Sequence, residues 1–353
     1  MNAYAAYADG LRVVDPDTGR VETRLDGRRV ECVAVHREAR ERVFAGTFDD
    51  GLHRSVDAGE SFERIAGDAL GPEGTGPDAV TALATSPHDP DTAWIGTEPS
   101  RLYRTADGGG SVEPITGMTD VPSASEWSFP PRPDTHHVRW IEPCPDDPER
   151  WYVGIEAGAL LVTSDGGATW TDRPPGSRRD THTIATHPDV PDRVYVAAGD
   201  GYAESDDRGR SFEVVADGLD HGYVWGLAVD PGDPDRVLAS AAGGATAAHR
   251  RGEAYLYRRE GAAGDGSVGD GATGNGSVGG DGNPDATAWE RLDDRGIPTG
   301  EGTYRAVLAS GAATGELWAL TNHGLHRTVD GGDRFDRVPA DLPEAVPRAL
   351  AVT

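Results

Sequence analysis

Histidine and glutamate side chains in three short stretches are the residues of this sequence best suited to chemistry. DTHHVRW contains His136 and His137, RRDTHTI contains His182, and IEAG contains Glu156. Imidazole ionises near neutral pH, so it can act as a general acid or base. We therefore take His137, His182 and Glu156 as candidate catalytic residues, together with Arg139 as a group that holds a substrate carboxylate.

The same imidazoles are candidate metal ligands. Neutral imidazole and carboxylate are the usual protein ligands of divalent metals. We name His137, His182 and His221 as the predicted metal set, with a divalent metal as the only cofactor that we consider. No HxH or HExxH spacing sharpens this hypothesis. Turn-capping histidines on a solvated rim remain the alternative.

Arginines form a second chemical group. Arg139, Arg305 and Arg348 occupy the equivalent position in three predicted inner strands. Guanidinium groups bind carboxylates through paired hydrogen bonds. With their neighbours they predict a site for a polar or anionic ligand. The candidate ligand-binding residues are His136, His221, Trp225, Tyr304, Arg305, Arg348 and His323.

A repeated motif identifies the elements that position these residues. The form Ser/Thr-x-Asp-x-Gly-x-x occurs five times, as SVDAGESF, TADGGGSV, TSDGGATW, SDDRGRSF and TVDGGDRF. The aspartate can accept backbone N–H groups at the head of a turn, and the glycine can adopt the positive φ that the turn requires. These aspartates are Asp57, Asp107, Asp165, Asp207 and Asp330. We interpret them as structural residues.

This motif resembles the Asp-box, or BNR repeat, of sialidases, sortilin-type receptors and photosystem II assembly factors, which are often labelled glycosyl hydrolase-like. The resemblance implies a β-propeller in which each motif joins the two outer strands of a blade. Three arginines around a channel are similar to the carboxylate-binding arginines of sialidases. However, the sequence lacks the Arg-Ile-Pro motif of sialidases, and His182 and Trp225 interrupt the arginine ring.

Strand pairs such as VECVAV/RVFAGT and VRWIEP/RWYVGI accompany the motifs and predict six complete blades. Strands at 3–25 and a lone strand at 346–353 supply the remaining blade, which leaves no open sheet edge. The prediction is therefore an all-β, seven-bladed propeller of four-stranded blades, with the N- and C-terminal strands closing one shared blade. Residues 1–353 are predicted to form a single domain. The Gly/Asp-rich run at 261–287 is predicted to be a disordered insertion within the sixth blade.

The blade pattern sorts the loops onto two faces. Entry loops and the loops between second and third strands share the face opposite the aspartate turns, and six of the 11 histidines lie there. The long entry loop at 115–137, with Trp127 and Phe129, opens on the same face. It is interpreted either as a lid over the channel mouth or as packing across the neighbouring blade.

The charge of the chain limits the kinds of partner molecule that we expect. The chain has a net charge of −27, and all of its 33 basic residues are arginine. Such a surface repels nucleic acid and anionic lipid, so neither is an expected partner. Dense carboxylates without lysine are typical of salt-adapted, halophilic proteins. The N-terminus lacks a signal-like segment, so we expect a cytoplasmic monomer.

Three functions remain open. The first is a propeller whose His/Arg/Glu-lined channel mouth binds a small polar or anionic ligand or a protein partner. The second is a metal-assisted hydrolase or lyase that acts on a carboxylated or sugar substrate. The third is an assembly-factor-type scaffold that uses a broad face. Whether the protein is an enzyme stays undecided at this point.

Overall fold

The chain folds into a ring of seven antiparallel sheets. The structure is a computed structural model that describes residues 1–70, 79–260 and 288–353. The first strands of successive sheets contact one another around the ring. This confirms the predicted seven-bladed propeller and the blade shared by the two termini. The predicted insertion at 261–287 lies outside the described residues.

Each blade has four strands in order from the channel outward, and blade 6 has a fifth, short strand. Blade 1 contains Ala349–Val352, Ala3–Tyr7, Gly10–Val14 and Val21–Arg24; blade 2 contains Val30–Val35, Val43–Thr47, Gly51–Ser55 and Glu63–Ile65; blade 3 contains Ala79–Thr85, Ala93–Glu98, Leu102–Thr105 and Glu113–Ile115. Blade 4 contains Val138–Pro143, Trp151–Ile155, Ala159–Thr163 and Thr171–Asp172; blade 5 contains Thr181–Thr186, Val194–Ala198, Gly201–Ser205 and Glu213–Val214. Blade 6 contains Tyr223–Asp230, Asp233–Ala242, Glu253–Arg259, Glu290–Arg291 and the added Gly300–Glu301; blade 7 contains Val307–Ser310, Leu317–Thr321, Gly324–Thr328 and Asp336–Arg337.

Helical structure in the described residues is limited to single turns. Three are 3-10 turns, at Gly67–Ala69, Met118–Asp120 and Pro122–Glu126, and one π-helical turn spans Ala247–Arg251. Within the described ranges, none of these turns has the length or apolarity needed to cross a bilayer.

Second strands are buried on both faces because each blade stacks against its neighbours. All residues of Val43–Thr47, Trp151–Ile155 and Val194–Ala198 are buried, and these strands are rich in the β-branched and aromatic residues that favour sheets. Trp94 of blade 3 lies against Trp151 of blade 4, with ring centroids 4.9 Å apart. The hydrophobic core is therefore distributed between blades.

Small residues in the second strands allow the blades to approach closely near the channel. A Cβ atom on Gly46 would lie 2.4 Å from Val80 of the next blade, and one on Gly96 would lie 2.5 Å from Val138. Gly154 has the same relation to Thr181, at 2.7 Å. Because real Cβ atoms do not approach so closely, a larger side chain here would push neighbouring blades apart.

A bulge in the first strand lies opposite each of these small residues. In blades 2 to 6 the register between the first and second strands shifts by one residue. The first-strand residue after this shift pairs with a small residue of the second strand, which is Gly46, Gly96, Gly154, Ala197 or Ser240. An extra residue in one strand bends it and redirects its side chain. The fold thus creates one specially placed side chain per bulged blade, near the channel mouth.

The five repeated aspartates lie at the hairpin turns between third and fourth strands. Asp165 accepts hydrogen bonds from the Thr169 backbone N–H at 2.9 Å and from the Thr169 hydroxyl at 2.6 Å. The Thr163 hydroxyl donates to Asp165 and accepts the Gly167 N–H at 3.0 Å. The other four motifs repeat the acceptance of a backbone N–H by the aspartate. Their carboxylates are therefore engaged in holding turns.

We predict that Thr163→Val lowers the free energy of unfolding by about 1–3 kcal/mol, because the buried Gly167 N–H loses its acceptor. The measurement is chemical denaturation at constant salt. Thr171→Val, at an exposed position of the adjoining outermost strand, is the control. Equal stability of the two variants would contradict this role for the Thr163 hydroxyl.

Candidate functional site

A ring of side chains surrounds the channel mouth on the face opposite the aspartate turns. Five of its members are the bulge residues of blades 2 to 6. Of the other two, one lies two residues before the first strand of blade 7 and one immediately precedes the first strand of blade 1. They are Glu31, Thr81, Arg139, His182, Trp225, Arg305 and Arg348. All except His182 line a cavity of about 660 Å³. A volume of this size is typical of small-molecule sites, which span about 300–1,000 Å³.

The indole of Trp225 organises the arginine side of the cavity. The guanidinium carbon of Arg305 lies 4.2 Å from the ring centroid, and that of Arg139 lies 4.7 Å from it. Arg348 is paired with Glu31 at 2.7 Å. In contrast, no carboxylate of the described residues lies within ion-pair distance of Arg305. Burial, reinforced by repulsion from Arg139, lowers the pKa of Arg305 to about 10, so it remains cationic at neutral pH.

A buried imidazole–carboxylate pair lies beside the arginines. His137 Nε2 is 3.0 Å from Glu156 Oε2, and Arg139 Nε is 3.5 Å from the same oxygen. Burial alone would raise the pKa of Glu156, but the hydrogen bond and charge of His137, followed by the charges of His182 and Arg139, outweigh it and hold the pKa well below its usual range. Glu156 is therefore ionised, and it orients His137.

The entry loop before blade 4 covers one side of the cavity. Arg132 makes a two-point ion pair with Glu98, with a 2.7 Å bond from Nε to Oε1. Phe129 meets the His137 ring edge-on, with centroids 4.7 Å apart, and both residues line the cavity. Trp127 is buried in the core between blades. The loop thus combines the two predicted roles, because its Trp127 end packs between blades and its Phe129 end covers the channel mouth.

Glu156, Asp180 and His182 bring three potential ligand atoms within 4.8 Å of one another, so this triad is arranged in a way that can hold a metal ion. His182 Nδ1 is 2.8 Å from the Val224 carbonyl, which assigns the proton to Nδ1 and leaves the Nε2 lone pair 3.7 Å from Asp180. Burial lowers the pKa of His182, and burial raises the pKa of Asp180, partly offset by His182.

The predicted metal set of His137, His182 and His221 is not what the structure brings together. Among the described residues, only His182 of these three belongs to a cluster of potential metal ligands. His221 stacks on Tyr255 at 4.2 Å and hydrogen-bonds to Tyr257. The separation arises because His221 lies in the loop before its strand, whereas His182 is a bulge residue.

Tyr223 and His249 complete the wall near Arg305. The Tyr223 hydroxyl is 2.7 Å from His249 Nε2, and His249 lies 4.8 Å from the Trp225 ring. Burial, followed by the charge of Arg305, lowers the pKa of His249 to about 3, so this imidazole is neutral. His249 is presented by the π-helical turn, a distortion that is frequent at functional sites.

Several predicted ligand-binding residues lie outside the cavity lining. His136 meets Trp127 edge-on, and His323 is within 3.1 Å of the Gly302 carbonyl. Tyr304 lies against Gly252, and His221 has the aromatic contacts described above. These four side chains pack against neighbouring residues instead of lining the cavity.

Sequence reasoning missed residues that line the cavity two positions before a ring member. Arg29, Asp180 and Tyr223 precede Glu31, His182 and Trp225 by two, as His137 precedes Arg139. Since side chains two apart share a face of a strand, this offset was a usable signal.

Charge at the cavity is opposite to that of the whole molecule. Its lining contains six arginines and four carboxylates, although the chain as a whole carries −27. Arg250 and Arg305 have no carboxylate within ion-pair distance in the described part of the chain, and Asp180 has no arginine. The site is therefore a local cationic region that also contains one carboxylate, Asp180, without an arginine partner among the described residues.

We predict that His182 is the neutral, Nδ1-protonated tautomer at pH 7 and that its pKa lies below the ordinary imidazole value, because burial disfavours its charged form. Nitrogen-15 NMR of labelled histidine measures this directly, and exposed His88 in the same sample is the comparison group. A His182 titration midpoint near the ordinary value of about 6.5 would contradict the prediction.

Comparison with known proteins supports the fold. No protein-family model matches the sequence, and no curated protein matches it. Among solved structures, a GH74 enzyme from Niastella koreensis is 14% identical, with a TM-score of 0.66, and the match covers 94% of this chain and 50% of that one. A GH74 xyloglucanase from Xanthomonas campestris is 17% identical, with a TM-score of 0.61 and the same coverages.

A YCF48 protein bound to a D1 peptide is 16% identical, with a TM-score of 0.54, and the match covers 88% of this chain and 83% of that one. The chain spans half or less of the GH74 enzymes that it resembles, at 36% and 50% of their lengths for two of them. At these identities the likeness is one of fold, and this chain is similar to glycosidase and assembly-factor propellers alike.

Proposed function

We propose that the protein binds a small organic anion with a carboxylate group at the channel mouth. The observation that carries this proposal is Arg305, a cation without a carboxylate partner among the described residues, which lies on Trp225 beside Arg139. A ligand carboxylate between these guanidinium groups would receive charge-assisted hydrogen bonds while its carbon chain contacts the indole.

The balance of charges supports an anion over a cation or a neutral ligand. Clustering of arginines is costly unless an anion neutralises them, and Arg139 and Arg305 already repel each other. An excess of carboxylates elsewhere on the molecule makes this cavity the place where an anion is attracted. The arginine cluster is therefore best explained by a ligand that supplies negative charge.

A scaffold function, suggested by the likeness to YCF48, requires an exposed face rather than a recess. The cationic groups here lie inside a cavity whose rim includes Phe129 and Arg132, so they are better suited to a small molecule or to the end of a peptide than to a flat protein surface. Sugar acids are included among the candidate ligands because GH74 neighbours are glycosidases.

We predict that carboxylates bind and that their uncharged counterparts do not. Calorimetry compares valerate with valeramide and glucuronate with glucose. Arg305→Met should weaken carboxylate binding roughly 10- to 100-fold, since a hydrogen bond to a charged group contributes about 1.5–3 kcal/mol.

Arg291→Met is the matched control, because Arg291 also lies over an aromatic ring but outside the cavity. Affinity for valerate no greater than for valeramide would overturn the proposal.

A second candidate, a metal-assisted hydrolase or lyase, is favoured by the triad of Glu156, Asp180 and His182. A divalent metal held by these groups would polarise a bound substrate, while Arg139 holds a substrate carboxylate and His137, oriented by Glu156, transfers a proton. The hydrogen bond from His182 Nδ1 to the Val224 carbonyl orients the ring and leaves Nε2 able to bind a metal.

For this candidate we expect about one equivalent of Zn²⁺ or Mn²⁺ after dialysis, measured by elemental analysis. Asp180→Asn should reduce the bound metal at least tenfold, whereas Asp189→Asn, at an exposed turn, should not. Substoichiometric metal that is identical in both variants would exclude the metal-assisted candidate and leave the carboxylate site in place.

A further inference from the structure

We propose that the ligand is a zwitterion, with its carboxylate at Arg305 and Arg139 and an ammonium group at Asp180 and Glu156. This inference rests on the proposed carboxylate-binding function and specifies the class of ligand. The class is a short, flexible molecule with opposite charges at its two ends, such as an ω-amino carboxylate or a short peptide.

The first observation is the charge environment of Asp180. Its Oδ1 accepts the Ala157 N–H at 2.9 Å and lies 3.7 Å from His182 Nε2. No arginine of the described residues lies within ion-pair distance, while Glu156 and Asp200 add negative charge nearby. A partly buried carboxylate among other carboxylates is unfavourable unless a cation approaches it.

The protein itself does not provide that cation. His182 Nδ1 donates its hydrogen bond to the Val224 carbonyl, so the Nε2 that faces Asp180 is the nitrogen without a proton in this tautomer. His137 uses Nε2 for Glu156, and Arg139 is shared between Glu156 and Trp225. A cation at Asp180 must therefore come from outside the chain.

His137 provides a second, independent indication of a ligand in the same cavity. The residue is 6% exposed and lines the cavity, yet its Nδ1 makes no hydrogen bond within the described residues. A buried polar atom without a partner is unfavourable. This nitrogen faces away from Glu156, with Glu98 Oε2 3.8 Å away, and Glu98 also lines the cavity, so a polar group of a bound ligand can reach it there.

The two uncompensated charges belong to one recess. Asp180, Tyr223 and Arg305 all line the same cavity, and the charges of both Asp180 and Arg305 act on the Tyr223 hydroxyl. The lining of one cavity therefore contains a carboxylate without an arginine partner and an arginine without a carboxylate partner among the described residues. A ligand with two opposite charges satisfies both side chains, whereas a simple carboxylate satisfies only one.

The test uses 5-aminovalerate, valerate and 1-pentylamine, which share a five-carbon chain and differ in their charged ends. Calorimetry of the full chain, at constant KCl and with EDTA present to remove metal, should show 5-aminovalerate binding at least tenfold more tightly than valerate. 1-Pentylamine should bind more weakly than both. Chain-length variants from glycine to 6-aminohexanoate then locate the preferred separation of the two charges.

In Asp180→Asn, 5-aminovalerate and valerate should bind with about equal affinity, so that the ratio of their affinities is about one. Asp189→Asn should leave that ratio at the wild-type value. Melting temperatures of both variants verify that they are folded.

The outcomes separate the two proposals. Valerate binding as tightly as 5-aminovalerate to the wild-type protein overturns the zwitterion inference and leaves the carboxylate site standing. Absence of binding by both compounds overturns the proposed function as well. If the preference for 5-aminovalerate persists in Asp180→Asn, the ammonium site is not at Asp180 and the inference fails.

Discussion

Close packing of neighbouring blades near the channel is the constraint on which the rest of the structure depends. Gly46, Gly96 and Gly154 have no room for a Cβ atom because the first strand of the next blade lies against them. Opposite each of them the first strand bulges, and the bulge residue points toward the channel mouth. The bulges that accompany this close packing thus place five of the seven side chains of the ring at the channel mouth.

The ring at the channel mouth brings charged side chains together without pairing all of them with an opposite charge. On the outer surface arginines are paired with the abundant carboxylates, as in the pairs Arg193–Asp206 and Arg208–Asp192. At the channel mouth, Arg305 and Asp180 are both left without such partners among the described residues. Burial makes uncompensated charge costly, and the proposed ligand recognition therefore rests on these two residues.

Some parts of the structure could be predicted from the sequence much better than others. The repeated Ser/Thr-x-Asp-x-Gly turns and the paired strands were sufficient for the blade number and for the blade shared by the termini, because each turn is a local structure. The candidate site was predicted in part. Arg139, Trp225, Arg305, Arg348, His137 and Glu156 line the cavity, while His136, His221, Tyr304 and His323 do not. Position within a loop does not specify where a side chain points.

By itself, the sequence determined the propeller, its turns and the face on which polar residues gather, since these depend on local patterns that repeat along the chain. Only the tertiary structure decided which residues meet. Glu156 and His182 belong to different blades, and so do Trp225 and Arg305. Their contacts depend on the stacking of blades and on a one-residue bulge that reverses which side of a strand faces the channel. Neither composition nor the repeated motif reveals a one-residue shift in strand register. That shift nevertheless decides whether a side chain lines the cavity or is buried between blades.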